Sequence, residues 1–152
     1  MLIDAKLIEV HIYRENCGIE YLLLKRSPSE IYPLLWQMVT GKIKHDEKAH
    51  TAALREVKEE TNLDISDIWV VPNINSFYDW TKEYISLVPV FLVKADMNQE
   101  VKISDEHSEF AWLRFEDAIN RFAWPGQKKS LEIIDDFLVK EASAFQFNKI
   151  KI

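Results

Sequence analysis

Short runs of apolar residues, many of them β-branched, are separated by polar turns and predict β-strands along much of the chain. The first two predicted strands are Lys6–Tyr13 and Glu20–Lys25, and Glu15–Gly18 supplies the turn chemistry between them. A loop that contains two prolines then leads to the run Leu35–Thr40. Further strands are predicted at Ile65–Val71, around Ile74–Trp80, at Tyr84–Val93, and in a short run that ends at Trp112–Leu113.

Helical periodicity predicts three helices. The first runs from about Asp46 to Thr61, where Asp46 suits the N-cap position and three alanines favour the helix. Two helices near Phe115–Arg121 and Gln127–Lys140 close the chain, and the second places apolar side chains at core spacing. Because strands and helices are mixed without strict alternation, the sequence predicts an α+β fold, a mixed β-sheet flanked by helices in an α/β/α sandwich. The length suits a single domain over residues 1–152.

Composition and charge narrow the function classes. The formal net charge of −6 at pH 7 argues against a protein that binds bulk DNA or RNA, because neutralising their phosphates requires a basic surface. An acidic protein can still hold a small polyphosphate when a bound cation reverses the local charge. The lone cysteine, Cys17, excludes an intrachain disulfide, and the N-terminal residues resemble neither a signal peptide nor a membrane span. These features predict a cytoplasmic protein.

Three glutamates of the first predicted helix are the most informative feature. At about 100° per residue, Glu56, Glu59 and Glu60 fall within one arc of the helix. The alanines of this helix project into the same arc, so we expect the glutamates to point inward and Lys58 to face solvent. Carboxylates confined at about 5 Å repel by roughly 3 kcal/mol at an effective dielectric of about 20, and they then need protons or a cation such as Mg²⁺ or Mn²⁺. A solvated charged face, which costs only a few tenths of a kcal/mol, is the alternative.

The segment around this helix resembles the Nudix box, a pattern of Gly, five residues, Glu, seven residues and then Arg-Glu-aliphatic-any-Glu-Glu-any-Gly-aliphatic. The matching positions are Gly41, Glu47, Arg55, Glu56, Val57, Glu59, Glu60 and Leu63. The probability that the six exact letters match by chance anywhere in the chain is on the order of 10⁻⁵. Asn62 stands where the pattern has its second glycine, and asparagine is the next most tolerant residue in the left-handed conformation expected just past a helix end.

The resemblance implies the Nudix fold and a divalent metal, Mg²⁺ or alternatively Mn²⁺, held between the loop and the helix. The positions that resemble the metal ligands are the carbonyl of Gly41 and the carboxylates of Glu56, Glu59 and Glu60. Glu47 and Arg55 resemble the pair that braces the loop against the helix, and a buried pair of this kind fixes geometry without leaving either charge unpaired. A surface pair between Arg55 and Glu59 is the alternative.

Two further stretches, Trp36–Gly41 and Ser104–Leu113, are similar to a Nudix subgroup that includes dihydroneopterin triphosphate and dATP pyrophosphohydrolases. In that subgroup a downstream glutamate of a Glu-His element returns to the metal site, and Glu106 matches it. Glu109 is the competitor, because we expect both residues in one acidic loop; a solvated acidic turn is the alternative. We expect His107 to be structural.

One arginine and several aromatic rings are candidate substrate contacts. Arg26 resembles a phosphate-contacting arginine of the family, and Lys25 and Lys42 are weaker candidates. Flat rings suit stacking on a purine or pterin base, which is worth about 1–3 kcal/mol per base in nucleic-acid systems. The candidate rings are Trp36, Phe77, Tyr78, Trp80 and Trp124, and a buried structural role is the alternative for each.

Together, these observations predict a Mg²⁺-dependent Nudix pyrophosphohydrolase that cleaves a nucleoside triphosphate-like substrate, of the dATP or dihydroneopterin triphosphate type, to a monophosphate and pyrophosphate. One box glutamate or Glu106 accepts the proton of the attacking water, with Glu59 the first choice because it lies at the edge of the arc. The alternatives are hydrolysis of dinucleoside polyphosphates or ADP-ribose-type diphosphates, and a non-catalytic domain that senses a nucleotide. The sequence leaves open the head group, the attacked phosphorus, the number of metal ions and whether the chain forms a homodimer.

Overall fold

The computed structural model describes residues 1–140 and 142–152. Its strands are β1 (Leu2–Asp4), β2 (Leu7–Glu15), β3 (Ile19–Arg26), β4 (Trp36–Gln37), β5 (Val39–Lys42), β6 (Ile68–Asp79), β7 (Tyr84–Lys94) and β8 (His107–Leu113). The helices are α1 (Ala49–Thr61), α2 (Phe115–Arg121), α3 (Pro125–Val139) and α4 (Ala142–Phe145), followed by a 3₁₀ turn at Gln146–Asn148.

All the strands belong to one mixed sheet in which β2 is central. β2 pairs in parallel with β7 and antiparallel with both β3 and β5. Outward from β7 lie β6, which is antiparallel, and β1, which is parallel to the first residues of β7. Outward from β3 lie β4 and β8, both antiparallel. The predicted mixed sheet is therefore confirmed.

Alternating side chains of β2 contribute to a separate core on each face of the sheet, because successive residues of a strand point to opposite faces. Ile8 and Val10 lie in one buried cluster with Val57 of α1. Tyr13 lies in the other cluster with Leu131 of α3 and residues of α2. Helices thus cover both faces, as the sequence predicts, and α1 is held against the face that carries the Ile8 side chain.

The start of α1 differs from the prediction. Lys48 is the N-cap residue, and Asp46 lies in the preceding loop with a φ of 60° and an ion pair to His45 at 2.8 Å. An N-cap residue needs an extended backbone, which a left-handed residue cannot provide. At the other end, Asn62 takes the left-handed conformation with a φ of 61°, and its backbone N–H donates to the carbonyl of Lys58. The expectation for Asn62 is therefore confirmed.

Several strand and helix boundaries also differ from the prediction. The two strands predicted at 65–71 and 74–80 are the single strand β6, with a register shift between Val70 and Ile74. That shift spans Pro72, which has no N–H to donate to the ladder. The two helices predicted after β8 are confirmed: α2 has the predicted bounds, and α3 begins at Pro125, a favoured first helical residue. α4 and the 3₁₀ turn that follow α3 were not predicted. Among the described residues, no helix is long and apolar enough to cross a membrane.

Candidate active site

The three box glutamates on α1 do not share one environment. Glu60 is buried, and the side chain of Glu56 is largely sheltered, with 14% of its surface exposed. The side chain of Glu59 is 54% exposed. The expectation that all three point inward is therefore wrong for Glu59, which lies at the edge of the carboxylate arc and meets solvent there. Lys58 faces solvent as predicted and pairs with Asp64 at 2.9 Å.

Gly41 lies on β5 directly beneath Glu56. The register pairs Gly41 with Ile8 of β2, which fixes its place at the centre of the sheet. A Cβ atom added at Gly41 would collide with the carboxylate of Glu56. Only glycine therefore lets the carboxylate of Glu56 approach the backbone of β5 this closely.

Arg55 ties the loop before α1 to the helix. Its Nε donates to Oε1 of Glu47 and its Nη2 to Oε2 of Glu47, each at 2.9 Å, and Nη2 also donates to the carbonyl of Lys42 at 2.9 Å. The Arg55 guanidinium lowers the pKa of Glu47 to about 2, since it hydrogen bonds to both carboxylate oxygens. A bidentate pair of this kind orients both partners.

The same guanidinium reaches the metal-site candidates. Nη1 of Arg55 donates to Glu56 at 2.6 Å and to Glu59 at 3.3 Å. Both interactions predicted for Arg55 from the sequence, a brace to Glu47 and an ion pair with Glu59, are thus present in the structure. Arg55 consequently positions the carboxylate that lies above Gly41.

Ionising the buried carboxyl group of Glu60 has a large electrostatic cost. Burial, together with the nearby carboxylates of Glu106 and Glu56, raises the pKa of Glu60 to about 9, against an opposing effect of Arg26. Its Oε2 has no hydrogen-bond partner within the part of the chain that the structure describes. Nε2 of His107 lies 3.9 Å from that oxygen, and burial lowers the pKa of this imidazole to about 4. A neutral histidine does not balance the charge of Glu60.

Glu106 and Glu109 occupy different structures, so the expectation of one shared acidic loop is wrong. Glu106 lies in the turn just before β8, and its charge acts on both Glu56 and Glu60. Glu109 is a residue of β8 and accepts a hydrogen bond from Lys25 at 2.6 Å. This geometry favours Glu106 as the downstream carboxylate of the site.

The carboxylates fit a hard cation in chemistry and charge, although they are not gathered around one point. Within residues 1–140 and 142–152, no group of three or more acidic, histidine or cysteine side chains has metal-ligand geometry. All the candidate donors are oxygens, which suits Mg²⁺ or Mn²⁺. Oε2 of Glu60 is buried with no hydrogen-bond partner among the described residues, and Glu56 and Glu106 add negative charge beside it. A divalent cation would remove this imbalance.

Arg26 is committed to its own loop at the edge of this site. Its Nε donates to the carbonyl of Ile31 at 2.5 Å, and its Nη2 lies 3.6 Å from Glu30. Its charge nevertheless acts on Glu60 and His107. Of the weaker phosphate-contact candidates, Lys25 is paired with Glu109, whereas Lys42 is exposed at the end of β5.

The candidate aromatic residues do not form one pocket. The ring of Trp36 is half-buried, with the guanidinium of Arg121 4.8 Å and the ammonium of Lys25 5.9 Å from its centroid. Trp124 is partly exposed at the start of α3. Trp80 is 76% exposed beyond the end of β6.

Tyr78 and Phe77 lie on opposite faces of β6, because side chains alternate along a strand. Asn75 contacts the first turn of α3, so Tyr78, three residues further along, points away from Trp124 and donates instead to Glu83. Phe77 shares the face of Asn75. Tyr32, which was not predicted as part of this group, meets the ring of Trp124 edge-on at 5.4 Å between ring centroids. Long-range contacts of a loop leave no periodic pattern in the sequence.

The sequence is similar to a known family model and to several known proteins. A family model described as the NUDIX domain matches residues 6–137. The chain is 33% identical over 111 residues to an asymmetrical bis(5'-nucleosyl)-tetraphosphatase of Caenorhabditis elegans, covering 71% of this chain and 78% of that protein. It is 25% identical over 121 residues to the nucleoside triphosphatase NudI of Escherichia coli, covering 74% and 86%.

Solved structures show the same fold. A binary complex of a C. elegans Ap4A hydrolase superposes with a TM-score of 0.74 and 28% identity, over 89% of this chain and 98% of that one. The E. coli dihydroneopterin triphosphate pyrophosphohydrolase superposes with a TM-score of 0.71 and 23% identity, over 86% and 98%. At that lower identity, the second likeness concerns the fold alone.

Proposed function

The chain belongs to the Nudix hydrolase family, and from this premise we propose that it is a Mg²⁺-dependent pyrophosphohydrolase of a nucleoside triphosphate-like substrate. The products are a monophosphate and pyrophosphate. Relatives named as a nucleoside triphosphatase and as a dinucleoside tetraphosphatase support the substrate class.

The observation that carries the proposal is the buried carboxyl group of Glu60, whose ionised form is disfavoured by burial and by neighbouring carboxylates. This carboxylate is buried beside Glu56 and Glu106 without a protein partner among the described residues. A fold gains nothing from such an arrangement, because like charges in a sheltered site oppose ionisation. A site that binds a divalent cation and its polyphosphate gains a strong attraction from it.

Each residue of the site has a separate proposed role. Glu56, Glu60, Glu106 and the Gly41 carbonyl would hold the cation, which would supply positive charge against the negative charge that builds on the phosphate oxygens. Arg55 and Glu47 hold the loop so that Glu56 stays above Gly41. Arg26 contributes positive charge at the phosphate side of the site.

We assign the general base to Glu59, with Glu106 as the competitor. A base that takes a proton from water needs access to solvent, and the half-exposed carboxylate of Glu59 has it. Glu59 also accepts only a long hydrogen bond from Arg55, at 3.3 Å, which leaves it free to accept a proton. Glu59→Gln should therefore lower kcat far more than it raises KM.

The test is pyrophosphate release from dATP, dGTP and dihydroneopterin triphosphate, with Mg²⁺, with Mn²⁺ and with a chelator. We expect activity only with a divalent cation, and a loss of several orders of magnitude in Glu60→Gln. Glu116→Gln is the matched control, since Glu116 is exposed on α2 and lies outside the site. Metal-independent release, or full activity of Glu60→Gln, would overturn the proposal.

Hydrolysis of a dinucleoside polyphosphate is the second candidate, favoured by the similarity to the asymmetrical tetraphosphatases of C. elegans and Mus musculus. The two candidates differ in their products. Diadenosine tetraphosphate would yield ATP and AMP in asymmetrical cleavage, whereas a triphosphate yields pyrophosphate. Chromatography of both reactions, with ADP-ribose in the same panel, separates them by relative kcat/KM.

A further inference from the structure

The first half of β7 is apolar on the face that α3 does not cover. Side chains alternate along a strand, so Ile85, Leu87 and Pro89 share the face of Phe91, which lies in the core beneath α1. Phe91 is buried, but these three side chains are only partly buried. A strand with one solvated face usually carries polar residues on that face. The apolar composition of this part of β7 therefore indicates that another surface covers it.

The neighbouring strands extend this apolar surface. Ile74 of β6 pairs with Pro89. Tyr78 of β6 and Ile3 of β1 both pair with Ile85. Directly paired residues carry their side chains on the same face of a sheet, where they are neighbours. We call this surface the uncovered face, and it consists of Ile3, Ile74, Tyr78, Ile85, Leu87 and Pro89.

The uncovered face is large enough to be the apolar centre of a protein interface. Its most exposed side chains, with Trp80 just past the end of β6 at the rim, are Ile3 (71% exposed), Ile74 (56%), Tyr78 (49%) and Trp80 (76%). At roughly 200 Å² for one fully exposed large side chain, these four expose about 500 Å². A standard interface buries about 800 Å² per partner, of which about two thirds is apolar in homodimers. The apolar area of the uncovered face therefore matches what one partner of a stable dimer contributes.

The charge of this face favours a second copy of the chain over a charged partner. None of the six residues is charged, although the whole chain has a net charge of −6. At the end of β6, Asp79 lies 3.8 Å from Lys82, and Glu83 accepts a hydrogen bond from Tyr78 at 2.6 Å. Two chains of like net charge repel least where the surfaces in contact carry no charge. An acidic or basic partner has no group to recognise on this face, whereas a second copy brings an equally apolar one.

The position of α1 makes the shape of this region complementary to itself. α1 packs on β5 and β2, on the same side of the sheet as the uncovered face and beside it. A helix is about 10 Å in diameter, and two stacked sheets also lie about 10 Å apart. A copy related by a twofold axis can therefore lay its uncovered face on this one, with the two α1 helices at opposite ends of the contact. Each residue of such a contact is used twice, as a twofold interface requires.

We propose that the uncovered face binds the same face of a second copy of the chain, so that the protein is a twofold-symmetric dimer. Tyr78 and Trp80, which the sequence predicts as substrate contacts, are interface residues in this dimer. The interface borders the site of hydrolysis. Gly41 pairs with Ile8, and β7, which carries Pro89, is the next strand of the sheet. Two strand spacings are about 10 Å, so the partner copy lies beside the site.

Sedimentation equilibrium of the purified chain tests this proposal. We expect the wild-type protein to be a dimer at micromolar concentration. Ile74→Glu places two carboxylates in the apolar contact and should raise the Kd of the dimer about 100-fold or more. Phe77→Glu is the matched control, because Phe77 is a similarly exposed apolar residue of the same strand on the opposite face. It should leave the Kd within about threefold of the wild-type value.

Three results would overturn the proposal: a wild-type chain that stays monomeric at about 100 µM, a dimer that Ile74→Glu leaves intact, or equal dissociation by Ile74→Glu and Phe77→Glu. The last result would indicate edge-to-edge pairing of β6, in which both faces of the strand take part. Circular dichroism checks that each variant is folded. Ile3→Glu, on the short strand β1, is the second variant should Ile74→Glu be unfolded. The measurement needs neither metal nor substrate, so its outcome is independent of the proposed hydrolysis.

Discussion

Glu60→Gln should stabilise the metal-free protein while abolishing its activity. Burial and the neighbouring carboxylates raise the pKa of Glu60 from 4.5 to about 9. A folded-state pKa above the unfolded value means that the folded protein keeps a proton that the unfolded chain releases. The stability that wild-type protein has below pH 4.5 is therefore lost progressively as the pH rises toward 9. Glutamine resembles the protonated carboxyl and carries no such dependence.

The size of the expected stabilisation follows from the pKa shift of Glu60. Each pH unit between 4.5 and the working pH costs about 1.4 kcal/mol, so at pH 7.5 the penalty in the wild-type protein is about 4 kcal/mol. Removing it should raise the melting temperature by about 10 °C for a chain of this length. At pH 4.5 the two proteins should unfold at nearly the same urea concentration, because the carboxyl of Glu60 is then still half protonated in the unfolded chain and the penalty is only about 0.4 kcal/mol.

Urea unfolding at pH 4.5, 6 and 7.5 with a chelator measures this directly. Glu59→Gln is the control, since its half-exposed side chain should give a much smaller change in stability. Added Mg²⁺ should then stabilise the wild-type protein more than Glu60→Gln. Equal stabilities at pH 7.5, or a difference that does not grow with pH, would refute the claim that Glu60 is an uncompensated buried acid.

The remaining predictions concern the loop, the brace and the opposite face of the sheet. Gly41→Ala should lower kcat/KM about 100-fold in steady-state assays, because the new methyl group displaces Glu56. Full activity of this variant would show that the close approach of Glu56 to the backbone of Gly41 is unnecessary. The lysine of Arg55→Lys cannot make the bidentate pair with Glu47. This variant should need a Mg²⁺ concentration about 10- to 100-fold higher for half-maximal activity. An unchanged dependence of activity on Mg²⁺ concentration would contradict this role of Arg55. Burial lowers the pKa of His11 to about 3, so as the pH falls below 6.5 the imidazole of His11 is protonated in the unfolded chain but not in the folded protein. The free energy of unfolding should therefore fall by about 2 kcal/mol from pH 6.5 to 5. His11→Gln should remove this contribution in urea titrations.

The Nudix box and helix α1 could be predicted from the sequence because both depend on the spacing of residues within one continuous segment. Helical periodicity alone puts Glu56 and Glu60 on the arc shared with the buried alanines, and a left-handed residue after the helix explains why Asn62 can replace glycine. Periodicity could not separate Glu59 from them, since a residue at the edge of an arc is sheltered or exposed according to what packs beside it. The same limit applies to Tyr78, whose distance from Trp124 depends on which face of β6 meets α3.

The sequence by itself determined the family, the mixed sheet with its flanking helices and the acidic helix, because each depends on residue spacing along a continuous segment. Only the tertiary structure decided that Glu106 rather than Glu109 acts on the box carboxylates, and that Glu9, Asn75 and Gln127 meet. These encounters join strands and helices far apart in the chain. Their distances depend on sheet register and helix packing, which no local pattern encodes.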